Sequence, residues 1–378
     1  MKIIGAIGLG LSRFLAFIFA LLFVVVTTLA LFAFNADRIL FDAGTYKRAL
    51  IREDFYARLP VLAASQAVTQ ARYDPCRDNP AGVENPEVCQ NPSAQPEQGG
   101  PPPFMKNITQ PQLEHIIGVL LPPDLLQTMV DSALDQVFAY LNSPDGTLRV
   151  NLSLADLKQR IAGNQGVEAV LTLIDSLPPC TAEQRAAGGG EFAGGMPQCR
   201  LPDADLEKMK PAIQQQLQQV VKGIPDVVSP GAGVGFSGAP GLAGGASPRE
   251  IYRWLRLGLG FSPLGSIVLL GLVTFFGVRS LKGWLRWWGW PFLFVALLVV
   301  PVAVLAVPAL RWAYVNRAVS QVPPYYSLEF VQAAFNVALE IVRSVLRPVL
   351  FQTLLLGGVG LALLVGSRFA DRIERPPK

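Results

Sequence analysis

His115 is the single histidine of this 378-residue chain. With one imidazole, Ser-His-Asp chemistry rests on that position alone. Helical spacing groups Leu113, Ile116, Ile117 and Leu120 on one face and turns His115 away from it, which predicts an exposed side chain and not a general base. Asp131 and Asp135 stand one helical turn apart. That spacing can serve paired carboxylates in acid–base work, but it is also the spacing of a solvated helix edge, the simpler reading here. The Gly-rich run at 223–248 lacks the Lys-Ser/Thr ending of a phosphate loop and any following strand-to-helix unit. No catalytic residue, cofactor or metal site is expected, and the chain is read as non-enzymatic.

Cys76, Cys89, Cys180 and Cys199 are the four cysteines. Structural zinc sites use CxxC spacing and often histidine; this chain has neither the spacing nor a second imidazole. Four cysteines allow three pairings, and proximity favours Cys76 with Cys89 and Cys180 with Cys199, each closing a short Pro- or Gly-rich loop. Disulfides require an oxidising, exported compartment.

The elements that must carry these residues follow from hydropathy. Four stretches, Phe14 to Phe34, Leu257 to Val278, Pro291 to Leu310 and Val349 to Val365, hold no Asp, Glu, Lys, Arg or His. Each reaches or nears the roughly 20 residues that carry a helix across about 30 Å of hydrocarbon. The expected fold is an all-α membrane protein: four transmembrane helices, with a large, mainly helical, disulfide-bonded extracytoplasmic domain between the first and second. Residues 1–35 form the cytoplasmic amino terminus and an uncleaved signal-anchor helix, since the apolar run exceeds a cleavable signal core. Residues 36–222 are the external domain and 223–248 a Gly/Pro/Ala/Ser linker. Residues 249–310 hold helices two and three around a short, basic, Trp-rich cytoplasmic loop. Residues 311–347 are an external loop with an amphipathic helix, and 348–378 the fourth helix and a basic tail.

Charge supports this division. Residues 36–250 carry 17 basic and 24 acidic side chains, a net −7, while the remainder carries 15 against 4, a net +11. Lys2, Arg13, Arg279, Lys282, Arg286, Arg368, Arg372, Arg375 and Lys378 sit on the short segments assigned to the cytoplasm, as the positive-inside rule requires. Arg311, Arg317, Arg343 and Arg347 speak the other way but lie in a loop more than three times longer. The reading is a multi-pass plasma-membrane protein with both termini cytoplasmic and the domain periplasmic or extracellular. An acidic domain without a basic face excludes nucleic acid as a partner. The spans hold no ionisable group, Thr27, Thr28, Gln352 and Thr353 being their main polar groups, which argues against a proton-coupled carrier.

Within the external domain YKRALIREDFYAR predicts a helix ended by Pro60, with residues 61–71 resuming it. Residues 74–104 are too rich in Pro, Gly, Asn and Gln for regular structure. Thr109 and Gln112 form a capping-box pair for a helix that the Pro122-Pro123 step separates from a second, with Leu126, Val130, Ala133, Leu134, Val137, Phe138 and Leu141 in helical register. The two should pack as an antiparallel hairpin or a sharp corner. TLRVNLS alternates like a short strand, Ser153 can cap a helix that Gly163 stops, and Val167, Val170, Leu171, Ile174 and Leu177 form another stripe. A last helix, 204–222, faces in with Leu206, Met209, Ile213, Leu217, Val220 and Val221.

All six tryptophans, Trp254, Trp284, Trp287, Trp288, Trp290 and Trp312, fall near span boundaries, where indole satisfies an apolar body and an N–H donor together. They read as membrane-interface anchors. In YYSLEFVQAAFNVALEIVRSVL, capped by Ser327, an apolar face including Phe330, Phe335 and Ile341 makes a candidate interaction helix. It either lies on the membrane surface or docks on the external domain, before Pro348 turns the chain into the fourth span. The order of one span, a large external domain and three spans resembles permease subunits of the MacB and FtsX type, which would imply a cytoplasmic ATPase partner docking near RSLKGWLRWWGW. The stretch from YKRALIREDFYARLP to TLRVNLSLADLKQRI is similar to exported helical domains of bacterial membrane proteins, a likeness that carries no activity with it. The expected partners are the lipid bilayer and an envelope protein or ligand, met by binding or scaffolding.

Overall fold

The computed structural model describes residues 2–73, 108–143, 150–183, 199–228 and 248–373. Those residues are helical apart from turns and one two-stranded ladder, and they divide into two compact units. The first unit comprises Met1–Tyr46, Phe236–Asn316 and Ala338–Lys378, and the second Lys47–Gly235 and Arg317–Val337.

The first unit is built on α1 (Lys2–Leu40), α9 (Pro248–Gly260), α10 (Ser262–Gly277), α11 (Leu281–Ala313) and most of α12 (Leu328–Ile373). Four stretches are long and apolar enough to cross a bilayer: Ser12–Leu40, Tyr252–Gly277, Leu281–Gln321 and Leu328–Phe369. In none is more than 28% of the most apolar stretch buried within the protein. Leu297, Leu305, Val268 and Phe275 are more than half exposed. Water would not tolerate so much apolar surface and hydrocarbon would, so the chain has the character of a multi-pass membrane protein.

Its core joins Phe23 of α1 to Phe292, Val295 and Val299 of α11 and Val349 of α12. Glycines bring α11 and α12 into backbone contact. A Cβ on Gly360 would stand 3.0 Å from both Gly289 O and Leu293 N, and one on Gly357 2.7 Å from Ala296 Cβ. Small residues at such crossings allow the close packing by which helices associate in lipid.

Three boundaries differ from the sequence reading. α1 runs past residue 35 to Leu40, because Asp37 and Arg38 end the apolar run without breaking a helix; Asp42 Oδ1 then accepts from Gly44 N–H at 3.2 Å as α2 (Ala43–Arg52) begins. The Trp-rich segment is not a loop: residues 281–290 are the opening turns of α11, started by Ser280, whose hydroxyl accepts from Gly283 N–H at 3.1 Å. The connection to α10 is only residues 278–280. Pro348 does not turn the chain, since α12 passes through it unbroken for 46 residues. At 1.5 Å per residue that is about 69 Å, over twice the hydrocarbon thickness.

The second unit contains most of α2, then α3 (Phe55–Arg72), α4 (Gln110–Leu120), α5 (Pro123–Asn142), β1 (Leu152–Ser153), α6 (Ala155–Ala162), α7 (Asn164–Asp175), α8 (Asp203–Gly223) and β2 (Val227–Val228). The break between α2 and α3 falls at Asp54, held at φ 49°, a left-handed conformation that Asp tolerates better than most residues. Pro60 lies buried inside α3 instead of ending a helix. Thr109 and Gln112 make the capping box, with Thr109 N–H donating to Gln112 Oε1 at 3.0 Å. α4 and α5 form the corner and not the hairpin: both pack on α3, and α4 also on α7.

Val167 and Ile174 of α7 interlock with Leu206 and Ile213 of α8, flanked by Val170, Leu171, Met209 and Leu217. These are the two stripes marked by helical spacing, except that Val220 is 60% exposed. Gly163 ends α6 as expected. Of the described residues in TLRVNLS only Leu152 and Ser153 form strand, and their partner comes from the proposed linker: Leu152 pairs with Val228 and Ser153 with Val227, antiparallel. Leu154 N–H donates to Asp226 O at 2.8 Å, and Lys158 pairs with the Asp226 carboxylate. The first linker residues are therefore bound into this unit. Residues 229–247, and the pair Cys76 and Cys89, lie outside the described residues.

Candidate functional site

His115, Asp131 and Asp135 each have a structural partner. His115 Nε2 on α4 lies 3.1 Å from Glu168 Oε1 on α7, with both side chains about half exposed. Asp131 of α5 accepts the hydroxyl of the buried Tyr56 on α3 at 2.9 Å. Asp135, one turn on, pairs with Lys47 Nζ of α2 at 2.7 Å. The two carboxylates thus face different helices and fasten α5 to α3 and α2. Burial, and secondarily the bond to Asp131, pushes the Tyr56 phenol above its ordinary pKa, so at neutral pH it serves as a steady donor. Among the described residues no group of three or more His, Cys, Asp or Glu could hold a metal.

Cys180 and Cys199 are joined by a disulfide with Cα atoms 4.9 Å apart, as proximity predicted. The bond closes the connection from α7 to α8, and the backbone reinforces it. Cys180 N–H donates to Arg200 O at 3.1 Å, and Arg200 N–H to Pro178 O at 2.8 Å. The Arg200 guanidinium reaches Asp175, the last residue of α7, at 3.1 Å and Asp203, the first of α8, at 3.3 Å. Arg200 is a structural residue that sequence reading missed; its place between a cysteine and two helix-terminal aspartates was the available signal.

The candidate interaction helix is the amino-terminal part of α12. Phe330, Phe335 and Ile341 are each partly buried, while the positions it buries most are Ala333, Leu339 and Glu340. Its start is docked on α3, the second of the two fates the sequence left open. Ser327 caps the helix, accepting from Phe330 N–H at 3.2 Å, and its hydroxyl lies 3.1 Å from that of Ser65. Gln66 clamps the same turn, accepting from Ser327 N–H at 2.8 Å and donating to Tyr325 O at 2.9 Å. Tyr325 meets the Tyr73 ring edge-on at 5.5 Å. Farther along, the buried Glu340 carboxylate is met by Arg343 at 3.3 Å and Arg347 at 3.6 Å. Their i, i+3, i+7 spacing on one face was the signal for this cluster.

The tryptophans do not gather into one site. Trp254, Trp290 and Trp312 are 74%, 47% and 62% exposed. Trp284 packs against Trp288 at 4.9 Å, and Trp288 donates its N–H to Thr274 Oγ1 at 2.9 Å. Trp287 lies against Gly277, where an added Cβ would stand 3.1 Å from the indole. Among the polar groups of the spans, Gln352 forms a reciprocal amide pair with the buried Asn35: Asn35 donates to Gln352 Oε1 at 2.8 Å and accepts from its Nε2 at 3.3 Å. Thr353 donates to Val349 O at 2.7 Å within its own helix. The amide pair ties α1 to α12.

The chain matches no protein-family model, no curated protein and no solved structure.

Proposed function

We propose that this chain is a non-enzymatic, multi-pass protein of the cell envelope whose second unit acts outside the cytoplasm as a binding or scaffolding domain. The observation that carries the reading is the Cys180–Cys199 disulfide at the centre of a unit with its own aliphatic core. A structural disulfide belongs to an oxidising compartment, and the basic short segments favour cytoplasmic termini. The working surface is this unit, with the docked segment at 327–337 that belongs to it. His115, Asp131 and Asp135, the side chains best suited to chemistry, bind other side chains of the same unit, which favours binding over catalysis.

Photo-crosslinking in living cells tests the proposal. A crosslinking residue replaces exposed Lys208 of α8 or exposed Leu328 of α12 in the full chain, and a third variant carries it at Arg279. The expected result is one stoichiometric envelope protein or ligand captured from positions 208 and 328. Stoichiometric capture of a cytoplasmic ATPase from position 279, with nothing at 208 or 328, would replace this reading with the permease one.

A further inference from the structure

Two adjoining cavities of the first unit form an amphiphile-shaped site. The larger, about 1030 Å³, is a groove between α1 and α11, walled by Phe17, Leu21 and Val25 on one side and Phe294, Leu297 and Leu298 on the other. Arg286, Trp287 and Trp290 line its polar end. The smaller, about 370 Å³, is lined by Lys282, Arg286, Trp290, Leu364, Ser367 and Arg368, so Arg286 and Trp290 belong to both. No acidic side chain lines either cavity among the described residues, and neither Arg286 nor Arg368 makes an ion pair with a described residue. The lining of α1 covers residues 17–25 and that of α11 residues 283–298, about 12 and 22 Å of helix at 1.5 Å per residue. Those lengths bracket half of the roughly 30 Å hydrocarbon layer, the depth of one leaflet.

We propose that this site binds an anionic phospholipid, with the phosphate held at Arg286 and Arg368 beside Lys282 and an acyl chain lying along the groove. Arginine presents a planar fork that matches phosphate oxygens bidentately. The opening turn of α11 adds the positive end of its dipole. Trp287 and Trp290 hold the headgroup level, and basic pockets between spanning helices are suited to anionic headgroups. A zwitterionic lipid would bring a positive choline or amine against Arg286 and Arg368, whereas a net-negative one complements them. The inference stands independently of what the second unit binds, and rests only on the spans lying in a bilayer.

Native mass spectrometry of the full chain in mild detergent, titrated with phosphatidylglycerol or phosphatidylcholine of identical chains, tests it. Wild type should retain phosphatidylglycerol preferentially, and Arg286→Ala with Arg368→Ala should lower that retention about thirtyfold, to the phosphatidylcholine level. Leu21→Trp, at a groove position 55% exposed to hydrocarbon, should block the chain and lower retention of both lipids. Unchanged far-ultraviolet circular dichroism would show the variants folded, and Arg286→Lys with Arg368→Lys, which keeps both charges, should retain most of the preference. Soluble glycerol phosphate should not compete. Equal retention of the two lipids by wild type, a preference that survives the double alanine change, or full competition by glycerol phosphate would each overturn the proposal.

Discussion

Helices of the membrane-type unit add glycine crossings and side-chain amides to their apolar core, whereas those of the disulfide-bearing unit meet through aliphatic ridges, a cystine and ion pairs. In the first, Gly289, Gly357 and Gly360 let α11 and α12 touch backbone to backbone, and Asn35 and Gln352 tie α1 to α12. In the second, Val167, Ile174, Leu206 and Ile213 bury against one another, and polar pairs such as Lys47–Asp135 lie near the surface. The contrast follows from the solvent. Water drives apolar surface together, but lipid tails are as apolar as leucine, so association there needs close packing and internal hydrogen bonds.

All six tryptophans belong to the membrane-type unit. Indole emission therefore reports that unit alone, while far-ultraviolet circular dichroism reports both. Replacing Cys180 and Cys199 by Ser together should have the largest effect. Their sequence separation is 19, and a loop of that size is worth about 3 kcal/mol in the chain-entropy account. The dichroism transition in denaturant should move to lower concentration with the indole transition unmoved; if both move together, the units unfold as one and the contrast fails.

Tyr56→Phe should cost about 2 kcal/mol, the worth of a buried hydrogen bond to a charged group, again in the dichroism transition. Because the folded-state phenol is held above its ordinary value, its contribution is complete below pH about 10, the unfolded value. It declines as pH rises past that point toward the folded-state pKa. The Phe variant should lose this alkaline slope.

Asn35→Leu should cost about 1 kcal/mol, this time visible in indole emission. The double change with Gln352→Leu should recover part of it, since no amide then remains unpaired. Lys47→Ala should be smallest, about 0.5 kcal/mol or less, because Asp135 is solvated and the pair is screened by salt. A larger loss would mean that the pair positions α5 instead of decorating it.

Much of this was legible from residue patterns. Uncharged runs marked four spans because hydrocarbon tolerates no unpaired charge, and the 3.6-residue stripes of α7 and α8 found the core they share. The capping box at Thr109, the Ser327 cap, the Gly163 stop and the Cys180–Cys199 pair were readable because each is a local signal with its own chemistry. What failed depended on distant partners. Pro60 and Pro348 read as breakers, yet packing keeps both inside helices, while Asp54 supplied a break that propensity does not flag. The Trp-rich segment read as a loop because its Lys and Arg end the apolar run, although those residues are good helix formers. Asn35–Gln352 joins residues 317 apart in sequence, and no periodicity links such positions. Arg286 was legible as a cation near a boundary, but its shared place in two cavities needed three helices in position.

Sidedness is the claim on which the account turns, and site-specific thiol labelling of intact cells addresses it most directly. Lys208→Cys, 79% exposed on α8, and Arg279→Cys, exposed in the short connection before α11, would each be treated with a membrane-impermeant maleimide before and after permeabilisation. The account predicts that position 208 reacts on intact cells and position 279 only once the membrane is opened. Labelling of 279 but not 208 on intact cells would contradict it.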